Sequence, residues 1–226
     1  MPCQSRPSPK LFGMVFEGFP AESFDFYERL EADNSRAFWS AHKADYQRYV
    51  REPMLALADE LEDEFGPAHL FRPNRDTRFS ADKSPYKTHQ GMFVAMAPGT
   101  GFYLQVSADG MHAGGGFHSH GPDQIERYRQ AVDAESTGSS LAAVVAGRYR
   151  DGLAVGGDQL KTRPRGIRTD HPRVDLLRYR SLTAGREWPA GPELAGPAAL
   201  ALIRRTWTQL IPICDWLNEN VGASRT

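Results

Sequence analysis

Four cations and two carboxylates crowd the thirteen residues "RDTRFSADKSPYK" (75–87): Arg75, Arg78, Lys83 and Lys87 against Asp76 and Asp82. Arginine offers a planar fork that grips carboxylate or phosphate through two hydrogen bonds, and lysine adds a compact point charge. Such a set suits an anionic ligand. Asp76 and Asp82 would brace the cations, and Ser80 and Tyr86 would support binding with their hydroxyls. The surplus of cations favours this reading, because a self-satisfied network would lie nearer charge balance. The rival is a salt-bridge clasp that fastens sheet to helices and binds nothing. Exposure separates the two. Binding needs Arg78 and Lys83 to aim donors into a concavity, whereas a clasp has them saturated by Asp76, Asp82 or the carboxylates around 59–64.

Read as a strand, 75–80 alternates Arg75, Thr77 and Phe79 on one face with Asp76, Arg78 and Ser80 on the other. Phe79 would then enter the core. A second basic stretch, "QLKTRPRGIRTDHPRVDLLRYR" (159–180), sets seven Lys or Arg against two Asp. Lys161 and Arg165, with Arg163 and Arg168, would reinforce the cluster if the stretches packed together. A continuous basic stripe over both would instead suit nucleic acid. The net charge of -1 argues against that, and against an anionic membrane surface.

Other signals are weaker. His112, His118 and His120 have the parity to share a strand face, but no Cys or acidic ligand adjoins them, so exposed or locally hydrogen-bonded histidines are the better reading than zinc. "GGG" (114–116) lacks the spacing of phosphate-binding loops and reads as close backbone packing. Ser80-x-x-Lys83 and Ser84-x-x-Lys87 formally match a nucleophile–base pair, which needs one helical turn that neither context offers. Asp76 and Asp82 beside Lys83 could hold a divalent metal in a nuclease, but the surrounding cations oppose it.

The elements that must carry these residues follow from periodicity. Ser23 is a plausible N-cap for a short aromatic-rich helix, and "DNS" (33–35) breaks it and caps the next. Apolar residues from Trp39 to Phe65 step at helical spacing, and Pro53 either kinks that run or begins a second helix. Residues 92–97, 102–106 and 111–117 form a meander joined by "PGTG" and "ADG" turns. Helices follow at about 121–134, 139–149, from 172, and 197–218, the last containing Pro212. Residues 185–197 read as loop. With 226 residues and 40% apolar content there is material for one sizeable core. We therefore expect a leader at 1–11, one α+β domain at 12–220 with an antiparallel sheet packed on N- and C-terminal helices, and a tail at 221–226. Two distant cysteines, Cys3 and Cys214, point to a reducing cytoplasm. No apolar run suffices to span a membrane.

Several blocks resemble one family. "FRPNRDTRFSADKSPYKTH" (71–89) looks like the hallmark of an uncharacterised bacterial and fungal family catalogued as domain-of-unknown-function family 2461. "NSRAFWSAHKADYQRYVREP" (34–53), "GGGF" (114–117) and "LKTRPRGIRTDHPRVDLLRYRSL" (160–182) resemble its helix, Gly-rich strand and basic motif. Asn74 departs from the aromatic expected there. The resemblance spans about 12–220 and implies no activity. The expectation is a cytoplasmic protein binding a small anion, such as a phosphorylated metabolite or nucleotide, with no cofactor or metal. The alternatives are an interaction or scaffold module with an unspecified protein partner, and a nucleic-acid binder or metal-dependent nuclease. Enzymatic chemistry stays open, with Asp76 or Asp82 as the acid/base candidates.

Overall fold

The computed structural model describes residues 15–78, 81–118 and 121–225. In chain order the elements are α1 (Ala21–Ala32), α2 (Arg36–Asp45), a π-helical turn (Tyr46–Arg51), α3 (Glu52–Phe65), β1 (Ala68–Leu70), β2 (His89–Ala97), β3 (Thr100–Ser107), β4 (Gly110–Phe117), α4 (Pro122–Asp133), α5 (Glu135–Arg150), β5 (Ala154–Gly156), α6 (Val174–Leu177), β6 (Leu182–Pro189) and α7 (Ala198–Asn220). The strands form an antiparallel sheet in the order β1-β2-β3-β4-β6-β5, with helices before and after it in the chain. The fold is α+β, as the periodicity indicated. Among the described residues no helix is long and apolar enough to cross a membrane.

The chain divides into two compact units. The first comprises residues 1–94, 105–111 and 188–202, and the second residues 95–104, 112–187 and 203–226. In the first, α1 and the helix beyond it bury Phe26, Tyr27, Leu30, Tyr46 and Val50 together with Tyr86. Ser35 caps α2 by accepting from the Phe38 amide at 3.1 Å, the role expected of the "DNS" break. In the second, Phe102 stacks on Trp207 with ring centroids 5.3 Å apart. The triple glycine of β4 packs closely there: a Cβ on Gly116, whose φ is +125°, would lie 2.3 Å from the Leu182 carbonyl.

Three local expectations are corrected. Ser23 does not cap α1; Pro20 occupies that position, and Ser23 is fully buried one turn inside the helix. Its hydroxyl donates to the Tyr49 carbonyl at 2.5 Å. Pro53 explains why. It has no N–H to give the carbonyl four residues back, which is that of Tyr49. Of the two readings for Pro53, the start of a second helix is the one found: α3 begins at Glu52 with Pro53 in its first turn, directly after the π-helical turn, in which the Glu52 amide bonds the Gln47 carbonyl.

The second correction is β6, which occupies ground read as loop. It pairs with β5 through Ala154↔Gly185, Val155↔Ala184 and Gly156↔Thr183. Small residues hid its alternation, and the crowding demands them: a Cβ on Gly185 would meet the Ala113 carbonyl at 2.7 Å.

The third is the charged segment, which forms no strand. A single antiparallel bridge joins Asn74 to Tyr86. Its two bonds run from the Arg75 amide to the Pro85 carbonyl and from the Lys87 amide to the Pro73 carbonyl, each at 2.9 Å. Extending the ladder would need the amides of Pro73 and Pro85, and proline has none. The prolines thus limit the pairing to one rung, and residues 76–78 and 81–84 leave it without forming a strand.

Replacing Ser23 by Ala leaves the half-buried Tyr49 carbonyl without its side-chain donor. The expected cost is about 1–3 kcal/mol in ΔG of unfolding, measured by denaturant titration. A change within a few tenths would show that the bond contributes nothing.

Candidate functional site

The site is built on Tyr86. Its ring is buried and stacks on Trp39, with centroids 4.2 Å apart and planes 10° from parallel. Its backbone is held from both sides by one amide: Asn34 Nδ2 donates to the Tyr86 carbonyl at 3.0 Å, and the Tyr86 N–H donates to Asn34 Oδ1 at 3.2 Å. Asn34 thereby mimics a strand neighbour. The two contacts fix the loop's exit against the start of α2 and so place Lys87.

The loop itself is braced from within. Arg78 lays its guanidinium on Asp76, with Nε to Oδ1 at 3.0 Å and Nη2 to Oδ2 at 2.6 Å. The Arg78 hydrogen bonds hold the exposed Asp76 carboxyl below the usual carboxylate range. Arg75 Nη1 pairs with Asp82 Oδ2. Asp82 Oδ1 also takes the Ser84 amide at 2.8 Å and the Ser84 hydroxyl at 2.6 Å, a turn closed by its own side chain. Lys83 Nζ donates to the Thr77 carbonyl at 2.9 Å. Both aspartates are therefore committed to cations, which removes the free carboxylate pair that a nuclease metal needs. Ser80, and Phe79 as a core residue, lie outside the described residues.

Beneath the loop's stem, a cavity of about 540 Å³ opens in the first unit. Three cations line it: Arg51, Arg72 and Lys87. Leu70, Phe71 and Pro73 supply apolar wall, and Tyr46, His69 and Gln90 complete it. Among the described residues, no carboxylate lines the cavity and none of the three cations makes an ion pair. The Lys87 ammonium rides over the Phe71 ring, 5.3 Å from its centroid. Burial, and then the charges of Arg72 and Arg75, hold Lys87 below the usual lysine range. The same causes, burial first and then Lys87 and Arg75, hold the His89 imidazole below its ordinary 6.5. Two neighbouring groups are thus pushed toward their neutral forms, by burial first and by neighbouring positive charge second.

Tyr46 and Gln90 are the neutral polar floor. The Tyr46 hydroxyl donates to Gln90 Oε1 at 2.6 Å, and Gln90 Nε2 donates to the carbonyls of Phe71 and Gly91 at 2.8 and 2.9 Å. Burial pushes the Tyr46 hydroxyl up to about 12, against the opposing pull of Arg51. Tyr46 is therefore a fixed donor and not a base at neutral pH.

Of the residues named from sequence, the structure brings Lys87 to this cavity, with Tyr86 packed beside it on Trp39. Arg75, Arg78 and Lys83 go to the braced loop. Lys161 and Arg165 are exposed in the second unit. That second basic stretch is largely self-satisfied. Arg173 is buried and spans the α4–α5 junction, donating to the Val132 and Asp133 carbonyls at 2.8 and 3.0 Å and to Glu135 at 3.1 Å. Arg180 pairs with Asp158 at 2.6 Å, and Arg168 with Asp170 at 2.7 Å. His112 faces Glu187 at 3.7 Å, His118 is exposed past β4, and His120 lies outside the described residues. No group of three or more His, Cys, Asp or Glu gathers at metal-binding spacing among the described residues.

Sequence reasoning missed Arg51 and Arg72. Arg72 stands three residues before the charged segment, and the "RP" that opens it was the available signal. Arg51 had none. On an α-helix it lies ~140° from Tyr46, five residues earlier at about 3.6 residues per turn, and would face elsewhere.

A comparison with curated proteins found no match. A comparison with protein families found one described as "Conserved hypothetical protein (DUF2461)", matching residues 22–216. That span includes α1 through most of α7 and every residue of the cavity wall. The chain belongs to this family.

Proposed function

We propose that the protein binds a small anionic ligand, of the class of phosphorylated metabolites or nucleotides, in the cavity walled by Arg51, Arg72 and Lys87. One observation carries this reading: three cations line a cavity of about 540 Å³ with no carboxylate among its described walls. Arg51 and Lys87 are half-buried and Arg72 is exposed at the mouth; half-buried cations without counter-ions are costly, and an entering anion relieves that cost through charge-assisted hydrogen bonds. Two arginines can each take a pair of phosphate or carboxylate oxygens, and Lys87 can take a third contact. The apolar wall at Leu70, Phe71 and Pro73 suits the uncharged part of such a ligand.

A second reading belongs to the loop. The pairing of Arg75 with Asp82 and of Arg78 with Asp76 supports a clasp for 75–84. The two readings are compatible, because the clasp and the cavity use different cations. A cytoplasmic setting is part of the proposal. The described cysteine, Cys214, is a buried free thiol, which suits a reducing compartment.

Thermal unfolding across a panel of phosphates, nucleotides and carboxylates tests the site. A ligand at 100 times its dissociation constant stabilises the native state by about 2.7 kcal/mol. The expected result is a midpoint shift in wild type and in Arg78→Ala that disappears in Arg72→Ala and Lys87→Ala. If no anion class shifts wild type, or if Arg78→Ala alone abolishes the shift, the cavity is not the site.

The pH dependence has a definite sign. His89 binds its proton less readily in the folded chain than in the unfolded one. Stability should therefore be complete above pH about 6.5 and fall as the pH drops from there through the folded pKa. An anion in the cavity offsets the Lys87 and Arg75 charges, so it should raise the His89 pKa. An NMR titration of the imidazole with and without inorganic phosphate reads this directly; an unchanged or lowered pKa would count against an anion nearby.

A further inference from the structure

We propose that Ser23 and Pro53 are positioning residues of the cavity: together they hold the helix in its π-helical turn at Tyr46–Arg51, and that turn aims Arg51 at the ligand. This rests on the anion-binding reading above.

The inference starts from a mismatch. Tyr46 and Arg51 both line the cavity, yet they stand five residues apart. In an α-helix that spacing puts them on different faces, ~140° apart at about 3.6 residues per turn. In a π-helical turn, with bonds from residue i+5 to residue i, five residues make roughly one turn, and the two side chains stack on one face. The turn spans Tyr46–Arg51, and the Glu52 amide closes it on the Gln47 carbonyl. The Arg51 charge is near enough to Tyr46 to oppose the effect of burial on its hydroxyl. Without the π turn, the cavity keeps Tyr46 and loses one of its cations.

A π turn is a rare conformation and reverts to α-helix unless something holds it. Two features do so here. Pro53 deprives the α-helical register of the amide that would bond the Tyr49 carbonyl. Ser23, fully buried on α1, supplies the donor in its place at 2.5 Å. The bond to that carbonyl thus comes from α1 and not from residue 53. Neither residue lines the cavity itself. Each acts through Arg51.

The test replaces both, in a Ser23→Ala/Pro53→Ala variant. Residue 53 regains an N–H, the Tyr49 carbonyl has no competing donor, and an unbroken α-helix becomes the better-bonded state. Two quantities are read. One is the nuclear Overhauser contact between the Tyr46 ring and the Arg51 side chain, without ligand. The other is the affinity for inorganic phosphate by NMR titration. The expected result is a folded protein in which that contact is gone and affinity falls about tenfold or more, as for losing one charge-assisted donor. Arg51→Ala alone should weaken binding equally, and adding it to the double variant should weaken binding no further.

Retention of both the contact and wild-type affinity overturns the proposal. So does an Arg51→Ala effect as large in the double variant as in wild type. If wild type binds no phosphate, the ligand-free contact still decides: its loss in the variant supports the positioning role and overturns only the anion reading, while its persistence overturns the positioning role as well. Should the double variant not fold, Pro53→Ala alone removes no hydrogen bond and is read the same way. A weakened contact supports the proposal, and an unchanged one overturns it.

Discussion

An amide hydrogen that proline cannot provide shapes the cavity's helical wall. Buried backbone carbonyls must find donors, and the one at Tyr49 finds Ser23 on a separate helix. The same rule governs the opposite wall. Pro73 and Pro85 lend only carbonyls, so strand pairing stops after one rung and the chain loops out. Asn34 then bonds both polar groups of Tyr86 that a ladder would otherwise have satisfied. Three prolines create gaps in regular hydrogen bonding, and two short polar side chains, Ser23 and Asn34, secure the backbone beside them. The arginines and lysine of the wall are left out of this internal network.

Cations near the cavity therefore fall into two populations. Arg75 and Arg78 lie on aspartates at the surface, where ion pairs contribute little to stability and mainly restrict the loop's conformations. Arg51, Arg72 and Lys87 line the cavity without such ion pairs among the described residues. The division follows from chain geometry. A carboxylate two residues away, as Asp76 is from Arg78, can close on its neighbour within a bend of the chain. Arg51, Arg72 and Lys87, on a π turn, a stem and a loop exit, make no such ion pair among the described residues, although the Arg72 charge is felt at Asp76.

Much of this was legible in advance. The meander, the cap at Ser35, the amphipathic α7 and the charged segment all follow from patterns local enough to survive in one sequence. The internal bracing of that segment was open as one of two readings, since Asp76 and Asp82 lie within reach of its arginines. What escaped depended on distant partners. Ser23 reads as a cap by its place near Pro20, and only tertiary contact reveals it as a donor to residue 49. Arg51 carries no signal of its own, because no local pattern announces a π turn. Strand β6 hides because close packing requires Ala184 and Gly185 where larger residues would display alternation.

The sheet's ends carry one more consequence. Its outermost strands, β1 and β5, are three residues each, while β2, β3, β4 and β6 run to eight or nine. An outer strand exposes unpaired amides and carbonyls to any extended chain it meets. At three residues the template is too short to hold a register. The long, apolar interior strands are thus screened from edge-to-edge association, and the sheet resists growing into a fibre.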